Sequence, residues 1–193
     1  MQNSKIYEWV TQNQNRKDIL INSGQPLTAK QLGRKTGIPN GMCSYLLKKF
    51  AARQLCVCLN PDAGNCRLYS LTELGQKIQN RLKKEMNLPI TDTDPIFDDI
   101  DWHLYGWICY NQRSLVLRSL TQPMQPSEIR RNIRHRFPLA KISSNNIRDV
   151  IHLFEKHDIV KRVYLKKKAH PRYELTDIGW NMQRLLHNAE IQA

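Results

Sequence analysis

Two segments of the sequence combine apolar and polar side chains in a helical pattern whose polar face could bind nucleic acid. In the first segment the apolar residues recur at three- and four-residue spacing; they are Cys43, Leu46, Leu47 and Phe50. The opposite face carries Asn40, Gly41, Ser44, Tyr45, Lys48 and Lys49. Amide, hydroxyl and ammonium groups bind base edges and phosphates, so this face is a candidate contact surface for DNA.

The second segment has the same pattern about one hundred residues later. Its apolar positions are Ile147, Val150, Ile151 and Phe154. Its polar positions are Ser144, Asn145, Arg148, Asp149, His152 and Lys156, of which Asp149 would repel phosphate. A single polar face is most simply a solvated helix surface. Two faces in register, in a chain of net charge +13, favour DNA contact.

A basic run follows the second segment and suits phosphate contact. Residues 166–171 are predicted to form a turn that contains Lys166, Lys167, Lys168 and His170, and Arg172 begins the returning strand. The corresponding turn of the first half has Asp62 and no basic residue before Arg67. Charge runs are ordinarily solvated surface, but a basic β-turn next to a DNA-contacting helix can neutralise phosphates. We therefore add Arg67 and the residues of this run to the candidate contacts.

The bulk composition favours a polyanionic partner. The chain has 193 residues with 30 Lys and Arg against 17 Asp and Glu, which points to nucleic acid. No run of eighteen apolar residues and no signal-peptide core occurs, so we expect no membrane partner. We expect a cytoplasmic location, nucleoid-associated when the protein is bound, with the five cysteines reduced.

An internal repeat organises the chain. Tyr-Ser-Leu-Thr-Glu-Leu-Gly at residues 69–75 returns as Tyr-Glu-Leu-Thr-Asp-Ile-Gly at residues 173–179, an offset of 104. Gln-Pro at 25–26 returns at 122–123, an offset of 97. The second copy therefore carries seven additional residues between its second and third predicted helices. That region contains Arg130, Arg131, Arg134, His135, Arg136 and Lys141, around Phe137 and Pro138.

Local signals predict the same elements in both copies. A helix begins at Thr28 with Gln31 as the capping-box partner and ends at Gly37, and a second helix begins after Pro39. Alternating residues then predict a hairpin around the turn at 60–65, followed by a closing helix. The fold class expected is mainly α with small antiparallel β-hairpins (α+β). The stretch 86–101 has five acids, no base and two prolines, and is predicted to be a linker.

This order of elements resembles the winged-helix transcription regulators of the broad MarR, PadR and ArsR type. Two motifs carry the resemblance: Thr-Ala-Lys-Gln-Leu-Gly with Thr-Gly-Ile-Pro at 28–39, and Tyr-x-Leu-Thr-x-x-Gly at the end of the hairpin. It implies two winged-helix domains in tandem, at 1–85 and 102–193, joined by the linker. It also implies that the third helix of each copy enters the major groove while the hairpin, or wing, touches the backbone. The insertion departs from this pattern.

Other chemistry receives little support from the sequence. Cys56, Cys58 and Cys66 lie on the first hairpin, but C-x-C with one further cysteine is a weak zinc signature, so we expect no metal and no cofactor. Metal or thiol sensing stays the minor alternative.

Phosphate-loop, nucleophile-elbow and H-E-x-x-H motifs do not occur, and we predict no enzyme activity. The aromatic stretch 102–110 is interpreted as core, with a dimer surface or ligand pocket as the alternative.

The sequence thus predicts a sequence-specific, double-stranded DNA-binding protein, most simply a transcriptional regulator. A plasmid or mobile-element replication control protein of similar build fits the same features. A tandem winged-helix subunit that binds protein in a larger assembly is the alternative from another class, and structured RNA is a third kind of partner. The sequence leaves open the target DNA, any effector and whether the protein activates or represses. It also leaves open whether both copies bind DNA and whether the chain forms a homodimer.

Overall fold

The protein is mainly helical, with two small antiparallel sheets. The computed structural model describes residues 2–90, 100–164 and 170–191, and in these ranges it has ten α-helices and five short strands. The predicted α+β class is confirmed at this level. Contacts divide the chain into two compact units, one made of residues 1–107 and 189–193 and the other of residues 108–188. We call them unit 1 and unit 2.

Unit 1 begins with a pair of helices and continues with two more helices and a sheet. Its elements are α1 (Gln2–Thr11), α2 (Gln14–Ile21), β1 (Leu27–Thr28), α3 (Ala29–Thr36), α4 (Asn40–Ala51), β2 (Cys56–Cys58), β3 (Leu68–Leu71) and α5 (Glu73–Glu85). Helix α6 (Trp102–Ile108) has all but its last residue in unit 1. The core of the unit collects apolar side chains from α1 to α5, with Phe50 completely buried.

Within the described residues, unit 2 repeats the order that unit 1 shows from α2 onward, without a strand equivalent to β1. Its elements are α7 (Asn111–Ser119), α8 (Pro126–Arg136), α9 (Ser144–Lys156), β4 (Val160–Val163), β5 (Arg172–Leu175) and α10 (Asp177–Ile191). The residues of α10 from 189 on group with unit 1. Its buried side chains include Leu117, Ile129, Ile151 and Phe154, one from each of α7 and α8 and two from α9. These helices therefore close over one apolar core.

The helix boundaries follow the predicted capping signals. The Thr28 hydroxyl accepts a hydrogen bond from the Gln31 amide at 3.2 Å, and the Gln31 side chain accepts one from the Thr28 amide at 2.8 Å. Helix α3 ends at Gly37, whose left-handed φ of 73° disfavours other residues. In unit 2, Ser143 caps α9 by accepting a hydrogen bond from the Asn146 amide at 3.1 Å. The predicted start and end of α3 are confirmed.

Strand pairing is equivalent in the two units. Cys56 pairs with Leu71 in unit 1, and Val160 pairs with Leu175 in unit 2, each 104 residues further on. The short strand β1 adds a third member to the first sheet by pairing with β3, and an isolated bridge between Met124 and Tyr173 takes its place in unit 2. The predicted hairpins are confirmed, whereas β1 and the bridge were not predicted.

The repeated Thr-x-x-Gly motif joins each hairpin to its closing helix. The amide of Thr72 donates to the carbonyl of Leu55, and that of Thr176 donates to the carbonyl of Ile159, both at 3.1 Å. Each threonine hydroxyl also caps its helix, since it accepts a hydrogen bond from the amide of the glycine three residues on, at 3.1 Å in both cases. The motif therefore attaches the closing helix to the residue before the hairpin, and we call this connection the joint.

A glutamine in each closing helix, buried in α5 and half-buried in α10, makes an equivalent contact in the two units. Gln79 of α5 donates to the carbonyl of Leu20 at 2.6 Å, at the end of α2. Gln183 of α10 donates to the carbonyl of Leu117 at 2.6 Å, at the end of α7. Helix ends leave carbonyls without intrahelical partners, and here a side-chain amide satisfies them.

The seven additional residues of the second copy lie between α8 and α9. Helix α8 has 11 residues where α3 has 8, so three of the seven lengthen the helix. The other four lengthen the connection, which runs over 137–143 instead of 37–39. The insertion therefore forms a longer helix and a longer loop.

The units divide at a different point from the predicted linker. Residues 102–107 group with unit 1, although the sequence placed them at the start of the second domain, 102–193. Tyr105 is buried and its hydroxyl accepts a hydrogen bond from the Gln31 side chain at 3.3 Å. The interpretation of 102–110 as core is right in burying Tyr105 and Ile108, but Tyr105 belongs to the first unit. Most of the predicted linker, residues 91–99, lies outside the described residues.

Candidate nucleic-acid interface

Helix α4 buries its apolar face and leaves the predicted polar face in water. The four apolar residues identified from the sequence, Cys43, Leu46, Leu47 and Phe50, are buried. The opposite face is exposed at Asn40, Gly41, Tyr45, Lys48 and Lys49, and Ser44 is half-buried. The Lys49 ammonium lies 5.3 Å from the centroid of the Tyr45 ring, so an aromatic and a cation are presented together.

Helix α9 has the equivalent arrangement in unit 2. Its buried residues are Ile147, Val150, Ile151 and Phe154. Its predicted contact face is exposed at Asn145, Arg148, Asp149, His152 and Lys156, with Ser144 half-buried. Arg148 and Lys156 lie two helical turns apart on this face. The face is therefore cationic, with one carboxylate at Asp149.

His152 belongs to a small ionic network. The Glu155 carboxylate accepts a hydrogen bond from Arg162 of β4 at 3.0 Å and lies 3.3 Å from the imidazole Nδ1 of His152. The hydrogen bond from Arg162 lowers the pKa of the Glu155 carboxyl, so it stays ionised. Glu155 therefore connects His152, on the exposed face of α9, to Arg162 of the hairpin.

The turn of the first hairpin is built around a buried asparagine that the sequence did not single out. The side chain of Asn60 is completely buried, accepts a hydrogen bond from the Leu68 amide at 2.7 Å and donates to the Cys66 carbonyl at 3.2 Å. A Cβ placed on Gly106 would lie 2.2 Å from the amide nitrogen of Asn60. Helix α6 therefore covers this side of the turn within unit 1. Arg67 at the same turn stays exposed and donates to the Ala63 carbonyl at 3.0 Å.

Of the cations predicted to act at the second hairpin, His170 and Arg172 lie in the described part of the chain. Lys166, Lys167 and Lys168 lie outside the described residues, and His170 is exposed. The Arg172 guanidinium forms two hydrogen bonds with the Glu128 carboxylate, at 2.8 and 3.0 Å, and a third with the Pro123 carbonyl. Arg172 was predicted to contact nucleic acid, but this side chain is bound within unit 2. We remove it from the proposed contacts.

Glu128 links the start of α8 to strand β5. Its carboxylate accepts a hydrogen bond from the Gln125 amide at 2.7 Å in addition to the pair with Arg172. The Gln125 amide, and then the guanidinium, lower the pKa of the Glu128 carboxyl. A group with a lowered folded-state pKa stabilises the fold above its unfolded pKa, about 4.3, and loses that contribution as the pH falls through the folded pKa.

Replacing Glu128 with glutamine should therefore destabilise unit 2 by about 1–2 kcal/mol at pH 7, because a capping and a charge-assisted interaction are both weakened. Urea unfolding followed by circular dichroism measures the difference from wild type. The difference should shrink as the pH falls from about 5 to about 3, where the wild-type carboxyl becomes protonated. Glu73→Gln is the matched control, since Glu73 also lies in a first helical turn but its side chain is 90% exposed. A Glu128→Gln deficit that stays constant with pH would contradict the assignment.

One cysteine of the first hairpin, Cys56, lies in the interior of unit 1. Cys56 is buried, its thiol donates to the Leu47 carbonyl at 3.5 Å, and burial raises its pKa to about 12. Thiols react and bind metals as thiolates, a form that this burial disfavours. Within residues 2–90, 100–164 and 170–191, no three His, Cys, Asp or Glu side chains are grouped so that they could hold a metal ion.

The insertion adds a basic surface that the candidate contacts did not include. Helix α8 and the loop after it expose Arg131, Arg134, His135, Arg136 and Lys141. The signal was present in the sequence, as the basic residues in and around the insertion.

None of the described helices combines the length and apolar character needed to cross a membrane. Comparison of the chain with protein-family models, with curated proteins and with solved structures found no match.

Proposed function

We propose that the chain is a tandem winged-helix protein that binds double-stranded DNA in a sequence-specific manner, as a transcriptional regulator or a replication control protein does. In each half, a helix preceded by a capped partner helix and followed by a hairpin takes the recognition role. These helices are α4 in unit 1 and α9 in unit 2.

The observation that supports this most directly is the exposure of equivalent polar faces in the two units. Both α4 and α9 bury a complete apolar face, so their orientation on the unit is determined by packing. Each turns outward residues that can bond to bases, such as Asn40 and Asn145, and cations that can bind phosphate, such as Lys48 and Arg148. A net charge of +13 supplies the long-range attraction to a polyanion.

In this proposal the two hairpins contribute unequally to the affinity for DNA. In unit 1 the turn carries Arg67 as its cation, and α6 covers its other side. In unit 2 the sequence of the turn contains three lysines followed by His170. The second unit should therefore supply more of the affinity that comes from phosphate contacts.

The test is a titration of the full-length protein against random and selected duplex DNA at several salt concentrations. Because each phosphate contact releases condensed counterions, the logarithm of the binding constant should fall linearly with the logarithm of salt concentration, with a slope near −0.9 per contact. Selection from a random duplex pool should yield a recurring sequence, since base contacts specify the site.

An affinity that does not change with salt would contradict the proposal. Stoichiometric binding of a purified acidic protein, together with no shift of duplex DNA, would favour the protein-binding alternative. Structured RNA that outcompetes duplex DNA at equal phosphate concentration would move the assignment to RNA.

A further inference from the structure

The loop inserted between α8 and α9 forms a tight turn with an apolar tip. The Phe137 amide donates to the Ile133 carbonyl at 2.8 Å, and the Ala140 amide donates to the Phe137 carbonyl at 2.9 Å. Pro138 and Leu139 are the two central residues of this turn, and proline at the first central position restricts the backbone. Leu139 is 95% exposed, the largest exposed fraction among the large hydrophobic residues in the described part of the chain.

The base of the turn is attached to the body of unit 2. Phe137 is half-buried, and the guanidinium groups of Arg118 and Arg136 lie 5.7 and 5.5 Å from its ring centroid. Arg136 also donates to the Arg118 carbonyl at 2.5 Å. These contacts connect the loop to α7 and α8. Leu139 therefore projects from a supported base.

The surroundings of the tip are cationic. No acidic residue occurs between Glu128 and Asp149, while Arg134, His135, Arg136 and Lys141 are exposed on either side of the turn. Ser143 and α9 follow directly, so the tip lies four residues before the cap of the proposed recognition helix. An apolar side chain flanked by cations matches a ligand that has anionic edges and an apolar interior. Stacked bases between two phosphate backbones have that chemistry.

We propose that Leu139 is a wedge that inserts between base pairs of the bound duplex and bends it. This proposal depends on the DNA-binding function proposed above. The flanking cations would bind the phosphates on either side, and Pro138 would limit the entropy lost on insertion. Apolar side chains that enter a base step unstack it partly and kink the duplex, and the cost is offset by additional contacts.

The experiment compares wild type, Leu139→Ala and the control Ile178→Ala on one set of duplexes. Ile178 is an exposed apolar residue of the same unit, on α10, at 43% exposure. Each duplex carries a sequence recovered by selection with the wild-type protein, dyes at both ends for energy transfer, and 2-aminopurine at successive positions. End-to-end energy transfer measures bending, and 2-aminopurine fluorescence measures unstacking.

Wild type should shorten the end-to-end distance and brighten 2-aminopurine at one step. Leu139→Ala should abolish both signals and weaken binding about tenfold, with an unchanged salt slope, because no cation is removed. Ile178→Ala should behave as wild type. Since Leu139 is exposed, its replacement should leave the thermal unfolding midpoint unchanged.

The outcomes separate the wedge from the function on which it rests. If wild type binds the duplex with the expected salt dependence but neither bends nor unstacks it, the wedge is wrong and DNA binding stands. The wedge is also wrong if Leu139→Ala keeps the bend, whatever its affinity, because Leu139 would then touch a groove without entering the stack. If wild type shows no binding to duplex DNA, both proposals fail.

Discussion

Gly75→Ala is expected to destabilise unit 1 by about 3 kcal/mol, the largest effect on stability that we predict for a single methyl group. A Cβ at Gly75 would lie 2.0 Å from the Leu55 carbonyl oxygen and 3.0 Å from its carbonyl carbon. Both are backbone atoms, and the same carbonyl accepts the Thr72 amide at 3.1 Å. The first turn of α5 would have to move off the hairpin, so the joint between them would be broken.

Urea unfolding measured by circular dichroism gives the difference, and the control lies in the same unit. Gly41→Ala also adds a methyl group to a glycine in the first turns of a helix, but nothing lies within 4 Å of that position. It should be neutral or stabilise the unit by up to about 1 kcal/mol, the helix preference of alanine over glycine. If Gly75→Ala unfolds at the wild-type urea concentration, the close approach of α5 to Leu55 is wrong.

Gly179 tests whether the closing helix of unit 2 approaches the residue before its hairpin as closely as in unit 1. A Cβ there would lie 2.2 Å from the carbonyl oxygen of Ile159, the residue 104 positions after Leu55. The Gly179→Ala variant should therefore lose stability by a similar amount, on the order of 3 kcal/mol. A much smaller loss would show that the two joints differ.

Lys48→Ala combined with Arg148→Ala is expected to weaken binding to a selected duplex about 100-fold, the largest effect on function that we predict. Both side chains are exposed on the polar faces of α4 and α9. Each substitution removes a cation proposed to bind a phosphate or a base, so the salt slope should fall by about 1 for each phosphate that is no longer neutralised. Fluorescence anisotropy at several salt concentrations measures affinity and slope together.

The control removes the same number of charges elsewhere in the two units. Lys77 on α5 and Arg184 on α10 are exposed cations outside the proposed contact faces. Their double alanine variant has the same net charge as the Lys48 and Arg148 variant. It should lose much less affinity, because only general attraction is reduced. Equal losses in the two double variants would mean that α4 and α9 are not the contact faces.

Much of the fold was predictable because its signals are local. Thr28 and Gln31 satisfy each other's backbone amides across one helical turn, and Gly37 supplies the left-handed residue that ends α3. The period of the apolar residues predicts which face of α4 or α9 is buried, whatever it packs against. For the same reason the polar faces could be named from the sequence, and they are exposed in the structure.

The features missed by sequence reasoning depend on partners far along the chain. Strand β1 has two residues, too few for a pattern, and exists because it pairs with β3 about forty residues away. Arg172 had the residue type and position of a phosphate ligand. Only its approach to Glu128, 44 residues earlier, shows that the guanidinium is bound within the unit. No local rule encodes either pairing.

The sequence by itself determined the repeated order of helices and hairpins, the helix caps, the charge and the amphipathic faces, because each depends on residues within a few positions of one another. The tertiary structure alone decided which cations are engaged internally and that Tyr105 groups with the first unit. It also decided that Asn60 organises a turn and that Leu139 projects from a supported base. These outcomes depend on which distant segments meet, and burial and hydrogen bonding are settled only when they do.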